Sequence, residues 1–160
     1  MKVRVSLSSQ RLFLLDDDGR TLGEWPVSTA LRGAGEARNS LRTPRGRHVI
    51  RAKIGAGQPE NTVFVARRPS GEILDAELAA AHPNRDWILT RILWLSGCEP
   101  GRNRLGNVDT MRRYIYIHGT SESEALGRPA SHGCIRMGNA DIIDFFDRVP
   151  VYTPVDIDED

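Results

Sequence analysis

The sequence predicts a mostly β domain with one or two short helices, a single unit over residues 1–160. Apolar residues recur in short runs with the two-residue period of strands. Gly, Asn, Asp and Pro punctuate those runs every ten residues or so. Only two stretches, 71–83 and 139–149, have the composition of a helix. The 160 residues, 39% hydrophobic and 27% charged, suit one core, and no repeat, low-complexity tract or linker divides them.

Val3, Val5 and Leu7 alternate with Lys2, Arg4 and Ser6, predicting a first strand. Arg11–Leu15 is a second, and Asp16–Gly19 a turn. Thr21–Thr29 reads as a third, with Pro26 at an edge or bulge. Residues 30–44 are small and polar and read as a loop. Strands resume at Gly46–Ile54 and Thr62–Arg68, and a short helix is expected within Gly71–Pro83. Trp87–Gly97 predicts a long buried strand, and 98–113 a loop. In Tyr114–Gly119 the strand period puts Ile115 and Ile117 on one face and Tyr114, Tyr116 and His118 on the other. Asn139–Val149 predicts a helix capped by Asn139, with Ile142, Ile143 and Phe146 inward, and Val151–Ile157 a closing strand.

A net charge of +1, from 22 basic and 21 acidic residues, gives no general attraction to nucleic acid or anionic membrane. The pairs Arg67-Arg68 and Arg112-Arg113 read as solvated surface. The N-terminal stretch lacks a signal-length apolar run and a small-residue cleavage site, and no run is long enough to cross a bilayer. The expectation is therefore a cytoplasmic protein without membrane insertion, or a periplasmic one if the chain was trimmed from a precursor. Nothing in the pattern speaks to oligomeric state.

Two cysteines, Cys98 and Cys134, do not make a disulfide framework, though one bridge between them is a structural alternative. Cys134 sits in Ser131-His132-Gly133-Cys134, downstream of His118-Gly119. Three readings follow: a buried packing residue, a metal ligand with the two histidines, or a nucleophile. For the nucleophile, His118 or His132 would take the thiol proton and return it to a leaving amine. Gly133 permits an unusual turn, and the N–H groups of Gly133 and Cys134 could hold an oxyanion. A catalytic Cys134 is expected to alkylate faster than Cys98.

The segment "IHGT…RPASHGCIRM" resembles the signature of the YkuD-like L,D-transpeptidase catalytic domain. Ser9–Arg20, Trp25–Ala30, Thr43–Ile50, Asn139–Phe146 and Thr153–Ile157 resemble further segments of that family, in its order. His48 stands where an aromatic is more usual, the spacer between His118 and Ser131 is short, and residues 102–113 match no family segment. The resemblance implies an L,D-transpeptidase-like β-sandwich or barrel. It implies attack of Cys134 on the bond between meso-diaminopimelate and D-Ala of a peptidoglycan stem, through a thioester. His118 would be base and acid, His132 would orient the site, and Gly133 with Cys134 would donate to the oxyanion. Arg136, Ser131, Gly119 and Tyr116 are the candidates for substrate contact, with Arg136 gripping a carboxylate; an arginine at the surface or holding the loop, a turn-capping Ser131 and a core-packed Tyr116 are the alternative readings. No metal or organic cofactor is expected. The expected partners are stem peptides or muropeptides, with a carbapenem adduct as a further expectation. Hydrolysis to tripeptide by an L,D-carboxypeptidase that recycles muropeptides is the favoured outcome. The alternatives are periplasmic 3-3 cross-linking and a catalytically dead stem-binding module.

Overall fold

A computed structural model describes residues 1–160. Its strands are β1 (Lys2–Ser6), β2 (Arg11–Leu15), β3 (Thr21–Ser28), β4 (Gly46–Ile54), β5 (Thr62–Val65) and β6 (Arg68–Ile73). After helix α1 (Ala76–Ala81) come β7 (Leu89–Gly97), β8 (Tyr116–Thr120) and β9 (Ile135–Gly138). Helix α2 (Asn139–Arg148) and β10 (Pro154–Asp158) complete the chain. The architecture is mostly β with two helices, as the alternation predicted.

The strands form one sheet in the order β4-β10-β1-β2-β3-β9-β8-β7-β5-β6. A further pairing of β4 with β7 closes it into a barrel that leaves the β5–β6 hairpin outside the ring. Two pairings are parallel, β1 with β10 and β8 with β9; the rest are antiparallel. Closure leaves no open edge within the ring. The inward residues Val3, Val5, Leu12, Leu14, Val27, Leu93, Leu95, Ile117 and Ile135 join one buried cluster. Helix α2 packs on β7, β8 and β9. It adds Ile142, Phe145 and Phe146 to that cluster, with Phe145 edge-on to Trp25 at 5.6 Å between ring centres.

Several expectations change in detail. The fifth strand stops at Val65, because Ala66 and Arg67 take left-handed backbone (φ 48° and 65°) and turn the chain into β6. That strand claims Gly71–Ile73, so the helix begins only at Ala76, capped by the Asp75 carboxylate on the Leu78 N–H at 2.8 Å. Asn139 does not cap α2; Gly138 holds that position. The Asn139 side chain turns inward instead, accepting from Thr90 Oγ1 and donating to Asn61 Oδ1, both at 2.6 Å. Phe145, rather than Ile143, takes the inward place. Tyr114 lies before β8 in a left-handed turn (φ 57°) and is exposed, so it does not share the strand face of Tyr116 and His118. Both cysteines are free thiols. No helix is long and apolar enough to cross a membrane.

Candidate active site

The parallel pairing of β8 with β9 sets His118 beside Arg136 and Ile117 beside Ile135. Ile117 and Ile135 point into the main core, so the two-residue period turns His118 and Arg136 to the opposite face. Cys134 immediately precedes β9 and Tyr116 opens β8. The Tyr116 N–H donates to Cys134 Sγ at 3.3 Å, and the thiol donates to the Tyr114 carbonyl at 3.4 Å. Cys134 packs with Tyr116, Ile92 and Phe64 in a small cluster apart from the main core. Tyr116, His118, Cys134 and Arg136 therefore share one face of two adjacent strands.

His118 is buried, and its Nδ1 lies 2.8 Å from the Gly119 carbonyl. A carbonyl only accepts, so Nδ1 carries the proton and Nε2 is left as the basic nitrogen. Burial pulls the imidazole down to about 4, with the nearby Arg136 charge acting in the same direction. Burial pushes the Cys134 thiol up to about 12; the Tyr116 N–H and the charges of Arg136 and Arg113 oppose this. At rest the site holds a neutral thiol and a neutral imidazole. Both sulfur hydrogen bonds go to backbone, and none joins Cys134 to His118.

The loop before Cys134 is held from both sides. Gly133 sits at φ +127°, and a Cβ there would lie 3.2 Å from Ile115 Cδ1 and 3.3 Å from the Arg42 carbonyl, so only glycine fits without strain. The Thr43 hydroxyl donates to the Gly133 carbonyl at 2.9 Å and accepts from the Ala30 N–H at 3.0 Å. The Ser131 hydroxyl donates to the Cys134 carbonyl at 2.5 Å and accepts from the Gly133 N–H at 3.2 Å. Ser131 is buried and committed to the loop, which corrects its assignment to substrate contact. Gly133 is corrected too: its N–H is occupied, and only the Cys134 N–H has no acceptor in the chain.

Gly119 and Tyr116 are likewise interior groups. A Cβ on Gly119 would lie 2.6 Å from Asn139 Oδ1 and 2.7 Å from the Leu89 carbonyl, so the residue permits close packing of β8 on β7 and α2. The buried Tyr116 ring walls the site, and its hydroxyl accepts from Arg67 Nη1 at 3.1 Å.

Arg136 and His132 meet at a residue that sequence reasoning did not single out. Asp86 Oδ1 accepts from Arg136 Nη2 at 3.0 Å, and Asp86 Oδ2 lies 3.6 Å from His132 Nδ1. The Arg136 side chain is only 10% exposed, so the fork expected to grip a substrate carboxylate already holds an internal one. His132 is 60% exposed and stands at the rim. No local signal marks Asp86, which lies 50 residues from Arg136 in sequence.

Beyond His132 lies a cavity of about 190 Å³ whose walls include Arg38, Arg112, Arg113 and Tyr114. The 102–113 segment thus borders the site, and Arg113 is half-buried rather than solvated surface. The chain brings no three His, Cys, Asp or Glu side chains together as a metal-binding group.

The barrel, the shared face and the clamped loop fit a family of cysteine-dependent enzymes. Residues 1–157 match the family described as YkuD, L,D-transpeptidase catalytic domain, and the chain belongs to that family. It is 29% identical over 153 residues to the Escherichia coli K12 protein named probable L,D-transpeptidase ErfK/SrfK, covering 96% of this chain and 42% of that one. A shorter match of 48 residues, 48% identical, joins it to Escherichia coli K12 YbiS, named in the same way, over 29% of this chain and 16% of that one. The chain spans less than half the length of these curated relatives. In fold it resembles L,D-transpeptidase 3 of Mycobacterium tuberculosis in complex with a faropenem-derived adduct. The TM-score is 0.60 at 17% identity, over 98% of this chain and 59% of that one. It also resembles the L,D-transpeptidase (residues 123–326) of Xylanimonas cellulosilytica, with a TM-score of 0.55 at 20% identity, over 98% and 59%.

Proposed function

We propose that this chain cleaves the L,D bond between meso-diaminopimelate and D-Ala in peptidoglycan stem tetrapeptides, with Cys134 as nucleophile and His118 as general base and then acid. The observation that carries this reading is the face shared by Cys134 and His118 across the parallel β8–β9 pair. His118 Nε2 takes the thiol proton as sulfur attacks the carbonyl. The unpaired Cys134 N–H donates to the oxyanion that forms. The imidazolium then protonates the departing amine, and D-Ala leaves a thioester on Cys134. Since both groups are neutral at rest, the proton moves only once substrate has taken sulfur from its backbone partners.

Water is the acceptor we favour, giving tripeptide. The cavity near the thiol has arginines and no carboxylate in its wall, so no acidic group there is placed to deprotonate an amine acceptor. Soluble muropeptides in the cytoplasm are the substrates of this reading. The second reading, 3-3 cross-linking in the periplasm, is favoured by the L,D-transpeptidase name shared by the relatives. Incubation of purified protein with disaccharide-tetrapeptide, followed by mass spectrometry, separates them. Tripeptide with free D-Ala supports hydrolysis, and cross-linked dimers support transfer. Either product must vanish in Cys134→Ala, and persistence there sinks the cysteine mechanism. A carbapenem is expected to add its mass at Cys134, as a β-lactam-derived adduct occupies the structural neighbour.

A further inference from the structure

We propose that the cavity between the 38–41 loop and the 112–114 turn is a carboxylate subsite, holding a substrate carboxylate that flanks the bond cleaved at Cys134; this rests on the stem-peptide reading above. Its place ties it to the chemistry. Tyr114 lines it, and the Tyr114 carbonyl is the acceptor of the Cys134 thiol. His132, two residues from the nucleophile, lines it as well.

Its charge is one-sided. Arg38, Arg112 and Arg113 contribute to the wall, and no acidic residue does. Arginines elsewhere in the chain, such as Arg4, Arg45 and Arg85, have carboxylate partners, but these three have none. Arg113 is half-buried and held by three neutral oxygens: the Gly35 carbonyl at 3.3 Å, Ser40 Oγ at 3.3 Å and the Arg42 carbonyl at 2.6 Å. Its charge is therefore fixed in position with no carboxylate in contact, since the nearby Glu36 is paired with Arg45, and an anionic ligand completes that arrangement. Burial pulls the guanidinium pKa down and outweighs the opposing charge of nearby Glu36.

The surrounding backbone is held in an uncommon shape. Asn39, Leu41 and Tyr114 all line the cavity with φ between 57° and 63°. Leu41 and Tyr114 gain little from that conformation by themselves. The Arg38 N–H donates to the Asn107 carbonyl at 2.8 Å and ties the 38–41 loop to the segment that leads into the 112–114 turn. A volume of about 190 Å³ suits a short anionic arm rather than a second peptide chain. A stem tetrapeptide offers two such groups beside the scissile bond: the carboxylate terminating D-Ala, and the one on the diaminopimelate arm.

The test is D-Ala release from the tetrapeptide and from two forms amidated at one or the other carboxylate. Arg38→Gln and Arg112→Gln are each expected to raise KM about tenfold on the free-acid substrate, with kcat changed little. One amidated form should cost the wild type a similar factor and make it insensitive to both substitutions; which form does so names the carboxylate. Arg20→Gln, in the β2–β3 turn, controls for overall charge. Equal KM for wild type and both arginine variants, or full sensitivity retained on both amides, overturns the proposal. If the protein releases no D-Ala, the stem-peptide reading falls separately. Calorimetry of the uncleaved tetrapeptide with Cys134→Ala then tests the subsite alone. A roughly tenfold weaker Kd on adding Arg112→Gln supports it, and an unchanged or undetectable Kd overturns it.

Discussion

In the proposed mechanism the imidazole of His118 works only as well as its surroundings keep it neutral and aimed. Gly119 fixes which nitrogen is basic, and burial keeps the ring unprotonated well below its ordinary range. The acid limb of kcat/KM is therefore expected near pH 4; a limb near 6.5 in a pH–rate profile would contradict the geometry. Replacing His118 with Gln should lower kcat by about 10² to 10⁴, measured as D-Ala release, with the fold intact by circular dichroism. Ser131→Ala should act differently. It removes the hydroxyl that bridges the Gly133 N–H and the Cys134 carbonyl, so stability should fall by about 1–3 kcal/mol in urea unfolding. Cys134 and His118 stood out in sequence as candidates because their signal is local: a thiol, a glycine and two histidines packed into short motifs. Asp86 was not, because its role exists only when a distant loop folds over Arg136 and His132. Ser131 looked like a substrate contact for a related reason. A serine beside a nucleophile reads the same whether its hydroxyl faces solvent or its own backbone.

At the level of elements, the site depends on how closely β8 approaches its neighbours. Gly119 is where that approach is tightest, against the Leu89 backbone of β7 and the Asn139 side chain of α2. Gly119→Ala is expected to cost about 1–3 kcal/mol, a drop in Tm of roughly 3–10 °C by calorimetry. Activity should fall further than stability, since the Gly119 carbonyl that orients His118 shifts with the strand. Most strands were readable from alternation, as in Val3 and Val5 or Leu12 and Leu14, because one face of each meets the core. β6 was not, since its residues are almost all exposed and its composition resembles a loop running into a helix. The inward turn of Asn139 was also hidden. Asparagine before an apolar helix ordinarily signals a cap, and only the meeting with Thr90 and Asn61 gives it another partner.

Over the whole molecule, two buried histidines set the response to acid. His48 and His118 are both pulled down to about 4 by burial, whereas an unfolded chain takes up these protons near 6.5. As pH falls from 6.5 toward 4 the unfolded state binds more protons than the folded state, so stability declines. Each histidine accounts for about 3 kcal/mol of that decline, and neither contributes a slope well above pH 7. His48→Phe should remove about half of the histidine part of the fall, read from urea midpoints between about pH 6.5 and 5, above the range where the paired Glu36 and Glu99 begin to contribute. Strand periodicity foretold a barrel's worth of strands but not their partners. Nothing local in Pro154–Asp158 says that it pairs with both β1 and β4. That placement has a consequence for how the protein is made. The ring cannot close until β10 has left the ribosome, so an emerging chain must carry β1 and β4 with exposed flanks until that strand is made. Assembly then joins residues more than 150 positions apart, and slow, chaperone-sensitive maturation is the expected price of a barrel sewn shut by so distant a pair of strands.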